Sequence, residues 1–159
     1  MAGAETSSSE MLSRLTTEER ELLTFKSDGT GKDYISKFIS GAYKDDMDTV
    51  QFYVLQGYSA NLQDANGNTP LMAAAYNGHI SVVRYLLSHG ADVNFQNNNG
   101  VTAIMYAVAQ KRIDAVQYMM AFEPDLGLKN TAGLTALDIA KKMDYNEVIE
   151  LLEGEAGTR

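Results

Sequence analysis

Apolar positions in this chain fall in short helical bursts, separated by turn residues, and the bursts recur. Leu71, Ala74 and Ala75 share one face of a helix, and so do Ile80, Val83, Leu86 and Leu87 a few residues on. The spacing predicts an inner helix over 70–77 and an outer helix over 80–88. The flanking residues agree. Asp64-Ala65-Asn66-Gly67 is turn chemistry, because Asn-Gly accepts a positive φ at little cost. Thr69 can cap the inner helix, and Pro70 suits the first helical position, where its missing N–H would be unpaired anyway. Gly78-His79 should reverse the chain, and Gly90 should end the outer helix in a left-handed conformation.

The pattern returns at a fixed interval. Thr69, Thr102 and Thr135 are 33 residues apart, as are Gly67, Gly100 and Gly133. The third unit has Ile104, Ala107 and Val108, then Ile113, Val116, Met119 and Met120. The fourth has Leu137 and Ala140, then Val148, Ile149, Leu151 and Leu152. An earlier, weaker unit aligns Phe38 with Leu71, Val50 with Val83, Gly57 with Gly90 and Asn61 with Asn94, but lacks the turn and the Thr-Pro start. Each unit is too thin to bury two faces alone, so stability must come from stacking.

The run Gly67-Asn68-Thr69-Pro70-Leu71, with Ala73-Ala74, Gly78-His79, Val82-Val83, Leu86-Leu87 and Gly90-Ala91-Asp92-Val93-Asn94, resembles the ankyrin-repeat consensus. The resemblance covers about 31–155 and implies an all-α fold: an ankyrin-repeat solenoid of helix–turn–helix units joined by β-hairpin-like turns. Four repeats follow, at 31–63, 64–96, 97–129 and 130–155, with a C-terminal tail at 156–159. Lys111 stands where the second unit has Gly78, and Glu123-Pro124-Asp125 stands for Gly90-Ala91-Asp92. A non-glycine in a left-handed position costs about 1 kcal/mol or more, so a looser or differently shaped third unit is expected. In the last unit Lys141, Asn146 and Glu153 occupy positions held by apolar residues earlier, and read as a solvated cap.

Residues 1–30 read as an extension with one or two short helices at about 9–25. Ser7-Ser8-Ser9-Glu10 and Thr16-Thr17-Glu18-Glu19 are capping-box starts, and Met11, Leu12, Leu15, Leu22, Leu23 and Phe25 are apolar. Such helices could cover Tyr34, Ile35, Phe38 and Ile39 of the first unit, or serve as a separate docking segment.

Composition narrows the function. The net charge is −8, with residues 1–30 and 130–159 each contributing −3 and a nearly neutral middle. Acidic ends serve solubility or steer a basic partner. An acidic chain without a basic stripe is poorly suited to nucleic acid. No run of about 18 apolar residues appears, so no helix is expected to cross a membrane, and the start MAGAETSSSE argues against a secretory signal. There is no cysteine, which rules out a disulfide framework.

Catalytic chemistry finds little footing. Of the two histidines, His79 lies at the Gly-His turn, where a local hydrogen bond is expected, and His89 suits a helix C-terminus. No zinc spacing and no calcium loop is present; Asp64, Asp92 and Asp125 read as turn formers. Asp28-Gly29-Thr30-Gly31-Lys32 lacks the spacing of a phosphate loop. Neither an enzyme, a cofactor nor a metal site is expected.

The resemblance instead points to a surface. In ankyrin proteins the turn tips and exposed ends of inner helices meet partners. Carried onto this chain, the tips give Asn66, Asn68, Asn98, Asn99, Val101 and Leu134. The helix ends give Tyr43, Lys44, Tyr76, Asn77 and Gln110, and the junctions give Gln63, Gln96 and Lys129. Tyr43 and Tyr76 are one repeat apart and should stand side by side as contact anchors. Val101 and Leu134 could form an apolar strip or pack on each other. Phe52, Tyr85, Tyr118 and Leu151 form an outer-helix ladder expected to pack between units.

The expected function is a protein–protein interaction module, an adaptor or scaffold that is monomeric on its own and binds a protein rather than nucleic acid or a membrane. The alternative is a stoichiometric inhibitor of an enzyme such as a protein kinase, because four-unit ankyrin chains of this size include inhibitors of cyclin-dependent kinases. A cytoplasmic location is expected, with the nucleus open to a chain of 17.4 kDa.

Overall fold

The computed structural model describes residues 33–156, with side chains to 154. The described residues form eight helices and no strand. They pair as α1 (Asp33–Tyr43) with α2 (Met47–Leu55), α3 (Pro70–Asn77) with α4 (Ile80–Ser88), α5 (Ala103–Ala109) with α6 (Ile113–Met120), and α7 (Ala136–Lys142) with α8 (Asn146–Ala156). Inner helices α3, α5 and α7 pack side by side, and so do outer helices α2, α4, α6 and α8. The expected extension at 1–30 lies outside the described residues.

Local chemistry sets the helix starts. The Thr69 and Thr102 hydroxyls accept from the Met72 and Met105 backbone N–H groups at 3.2 and 3.3 Å. Thr135 and Asp138 cap each other reciprocally, the hydroxyl accepting at 3.2 Å and the carboxylate at 3.0 Å. Without a Thr-Pro start, α1 extends back to Asp33, ahead of the position that Pro70 would mark in that unit.

Packing explains why small residues recur in the inner helices. Gly41, Ala74, Ala107 and Ala140 occupy the same repeat position, and all four are buried. A Cβ on Gly41 would lie 2.7 Å from the Thr49 methyl on α2, so a side chain here would require the two helices to shift. Large side chains fill the space between units, including Phe38, Leu71, Met72, Leu86, Met105 and Met119. The outer ladder of Phe52, Tyr85, Tyr118 and Leu151 is half-buried and packs on this core, as expected.

The turns between units are hairpin-like without forming strands. Asp64 N–H donates to the Asn68 carbonyl at 3.0 Å, and Asn97 to Val101 and Asn130 to Leu134 likewise. Successive turns are then tied together. Asn98 N–H donates to the Asn66 carbonyl and Thr131 N–H to the Asn99 carbonyl, each at 2.9 Å.

The expected change of shape in the third unit does not occur. Lys111 and Glu123 take φ of 54° and 51°, the left-handed conformation that Gly78 and Gly90 take in the second unit. Asp45 and Asp144, one repeat either side of Gly78 and Lys111, are left-handed too. Neighbouring units hold the backbone, so the side chain bears strain instead of the turn changing form.

At the far end of the stack, Lys141, Asn146 and Glu153 are exposed. The Lys141 ammonium pairs with Glu153 at 3.1 Å, giving this face a polar finish.

Candidate partner-binding surface

The ends of α1 and α3 bring Tyr43 and Tyr76 together, as their one-repeat spacing predicts. Their ring centroids are 6.3 Å apart and inclined at 25°. A third ring joins them: Tyr106 on α5 stands 5.8 Å from Tyr76 at 76°, edge to face. The three rings, with Ile39, Met72, Ala73 and Asn68, line a groove of about 260 Å³. Ile39, Met72 and Ala73 make part of its lining apolar, and Asn68 and the tyrosine hydroxyls add polar groups. Tyr43 is the most open of the three, with 49% of its surface exposed.

Tyr106 was not among the expected contact residues. It occupies the position of Ala73, one repeat earlier, where the pattern holds a small side chain. The available signal was that departure: a bulky, polar-tipped ring in place of alanine.

One end of the groove is polar. The buried Asn97 donates from Nδ2 to Asn68 Oδ1 and to the Tyr106 hydroxyl, each at 2.9 Å, while its own Oδ1 accepts from the Asn99 and Val101 backbones. Tyr106 also donates to Asn68 Oδ1 at 3.4 Å. The network fixes the Tyr106 ring and the Asn68 amide with respect to each other.

The other nominated residues fall into groups. Lys44, Gln110, Asn66, Asn98, Asn99 and Lys129 are exposed; Val101 and Leu134 are half-buried, with Val101 packed on the core. Gln63 and Gln96 act as junction staples. The Gln63 amide donates to the Gly67 carbonyl at 2.9 Å and the Gln96 carbonyl at 3.4 Å; the Gln96 amide repeats this with Gly100 and Lys129 at 2.9 and 3.0 Å. Asn98 Nδ2 donates to the Ala65 carbonyl at 2.9 Å.

Asn77 and His79 converge on one atom. Asn77 Nδ2 donates to the Tyr43 carbonyl at 2.7 Å, and His79 Nε2 lies 2.9 Å from the same oxygen. The local hydrogen bond expected of His79 is thus replaced by one to the preceding unit, since the last carbonyls of α1 lack partners within their own helix. Arg112 Nε does the same for the Tyr76 carbonyl at 3.2 Å. His89, as expected, serves its own helix terminus, with Nδ1 2.7 Å from the Tyr85 carbonyl and its ring 4.1 Å from the Tyr85 ring.

The charged chemistry is structural. Asp64, Asp92 and Asp125 each accept from the backbone N–H two residues on, at 2.8, 2.8 and 2.9 Å. Hydrogen bonds from Thr49 to Asp46, and from Thr135 to Asp138, hold both carboxyls below their ordinary range. Burial raises the Tyr85 phenol. Among the described residues, no group of His, Asp and Glu is placed to hold a metal ion, and no helix is long and apolar enough to cross a membrane.

A family model described as Ankyrin repeats (3 copies) matches residues 38–130 and again 90–158. Comparison with curated proteins finds no match.

Proposed function

This chain belongs to the ankyrin-repeat family, whose repeats are generally protein–protein interaction modules, and we propose that it docks a protein partner on the concave face of its stack as an adaptor or scaffold. The observation that carries this reading is the open groove lined by Tyr43, Tyr76 and Tyr106 together with Ile39, Met72 and Ala73. Tyrosines offer large contact area at small entropic cost and keep a polar tip for hydrogen bonding. The exposed tip and helix-end residues Asn66, Asn99, Gln110 and Lys44 would form the surrounding rim. Gln63, Gln96, Asn77 and Asn98 would act through the shape they maintain.

The reading includes no catalysis and no cofactor. The family is generally non-enzymatic, and the histidines and turn aspartates here are engaged in hydrogen bonds that hold the stack. The polar face made by Lys141, Asn146 and Glu153 supports a monomer rather than a self-associating stack.

Affinity capture on the full chain, with stoichiometry measured, tests the role. Several distinct partners that all depend on Tyr43 and Tyr76 are the adaptor's result. A single enzyme bound at equal stoichiometry and silenced by binding would replace the adaptor with an inhibitor. Substrate turnover by the purified chain alone would overturn both.

A further inference from the structure

Asparagine precedes glycine three times in this chain, at Asn66-Gly67, Asn77-Gly78 and Asn99-Gly100. The pair is chemically labile, because glycine has no Cβ to keep its backbone nitrogen away from the asparagine Cγ. That nitrogen, once it loses its proton to hydroxide, bonds to Cγ; the Cγ–Nδ2 bond breaks and ammonia leaves. Water then opens the cyclic imide. Opening at Cγ gives aspartate; opening at the main-chain carbonyl gives isoaspartate, with the chain running through the former side chain. All three pairs share this chemistry, so in the folded chain they differ by what holds each one.

Asn77 is held most firmly. It ends α3, and its Nδ2 donates to the Tyr43 carbonyl at 2.7 Å. Swinging Cγ toward the Gly78 nitrogen would break that bond between units. Gly78 N–H donates to the Ala75 carbonyl at 3.2 Å, and the Arg112 stem lies against the glycine.

Asn66 and Asn99 are exposed at turn tips, and neither side-chain amide has a hydrogen-bond partner among the described residues. In each tip the glycine N–H donates within the turn, Gly67 to the Asp64 carbonyl and Gly100 to the Asn97 carbonyl, both at 2.9 Å. The Asn66 and Asn99 carbonyls accept from the next turn, from Asn98 and Thr131 N–H. Attack therefore requires the tip to open first. The tips differ by one tie. Asn98 Nδ2 also holds the Ala65 carbonyl at 2.9 Å, whereas Thr131, one repeat on, has no amide to hold the Asn98 carbonyl. Gly67 is buried, and Gly100 is only half-buried.

We infer that Asn99 is a modification site of the folded chain, losing its side-chain amide to give aspartate and isoaspartate ahead of Asn66 and far ahead of Asn77. Each product places a new negative charge at the tip. Isoaspartate also adds a methylene to the main chain between Asn97 and Gly100. That misaligns the turn bond and loosens the junction of the third and fourth units. Asn99 does not line the tyrosine groove, so the site stands whether or not a partner docks there.

The test ages the full chain in warm, mildly alkaline buffer, with and without guanidinium chloride. The chain is then digested at mildly acidic pH and mapped by mass spectrometry. In denaturant all three pairs should convert at similar rates. In the folded chain Asn99 should convert first, Asn66 about fivefold more slowly for its one further hydrogen bond, and Asn77 not measurably. Two variants, each checked for folding by circular dichroism, test the cause. Thr131→Asn should supply the missing tie and slow Asn99 to the rate of Asn66. Asn98→Ala should remove the existing tie and bring Asn66 up to the rate of Asn99. The isoaspartate form, separated by chromatography, should unfold at lower urea than the parent chain. Asn77 converting as fast as Asn99, Asn66 converting ahead of it, or Asn99 staying intact while the denatured chain reacts would each overturn the inference. Rates unmoved by both variants would overturn the tie as the cause. An unchanged unfolding midpoint would overturn the effect on the junction.

Discussion

Asn77 reaches across the first junction of the stack, its Nδ2 donating to the Tyr43 carbonyl at 2.7 Å. The bond joins the end of one inner helix to the end of the next, and it fixes the main chain that carries the Tyr43 ring beside Tyr76. Sequence position nominated Asn77 as a partner contact; its amide is engaged within the protein. Asn77→Ala should therefore lower stability by about 1 kcal/mol, measured by urea unfolding, because the carbonyl keeps only its bond to His79. A variant with wild-type stability would remove the structural role.

Leu86 has no exposed surface and sits on α4 between the second unit's inner helix and the neighbouring outer helices. Leu86→Ala should cost about 2–5 kcal/mol, the range for a fully buried leucine that leaves a cavity. Because each unit depends on its neighbours, the loss should show as a lower midpoint for the whole stack rather than for the second unit alone. Circular dichroism with increasing urea measures it.

Glu123 is exposed and left-handed, at φ 51°, in the position that Gly90 fills one repeat earlier. Glu123→Gly should relieve strain of about 1–2 kcal/mol, offset in part by the greater freedom of glycine in the unfolded chain. A net gain of about 0.5–1 kcal/mol is expected in the same unfolding measurement. A net loss would mean that the turn accommodates glutamate without strain.

Asp46 and Asp138 have carboxyl pKa values below their ordinary range, first through their Thr49 and Thr135 hydrogen bonds. A depressed folded-state value means that the ionised group stabilises the fold above its unfolded value. That contribution disappears as pH falls through the folded value. The stability gap between wild type and Asp46→Asn/Asp138→Asn should therefore be full at neutral pH and close as the pH drops below the ordinary carboxylate range. A gap independent of pH would contradict this assignment. Unfolding midpoints across that acid range provide the check.

Helix positions were legible wherever local chemistry marks them. Thr69-Pro70 and Gly78 bound α3 at the expected residues, because a cap, a fixed φ and a left-handed glycine each act within a few residues. The start of α1 was not, since the first unit lacks the Thr-Pro pair that marks the start of α3 in the sequence. Hydrogen bonds between units were also hidden: Gln63 and Gln96 visibly recur, but periodicity does not reveal that each amide reaches the next unit's backbone. His79 was misread for the same reason. The groove was half legible. Tyr43 and Tyr76 share the repeat and could be paired from spacing, whereas Tyr106 breaks it and is placed by the Asn97 network. What the repeat shares encodes the stack, and what it does not share shapes the surface.

The most direct measurement compares partner affinity, by calorimetry on a captured partner, for two double variants. Tyr43→Ala/Tyr76→Ala opens the inner-helix groove, and Tyr85→Ala/Tyr118→Ala strips rings from the outer helices. The account expects the first to lose binding by about 2 kcal/mol or more while remaining folded. The second should bind normally once any loss of stability is allowed for. Normal binding by the first, with binding lost in a folded second variant, would contradict the account and move the working surface to the opposite side of the stack.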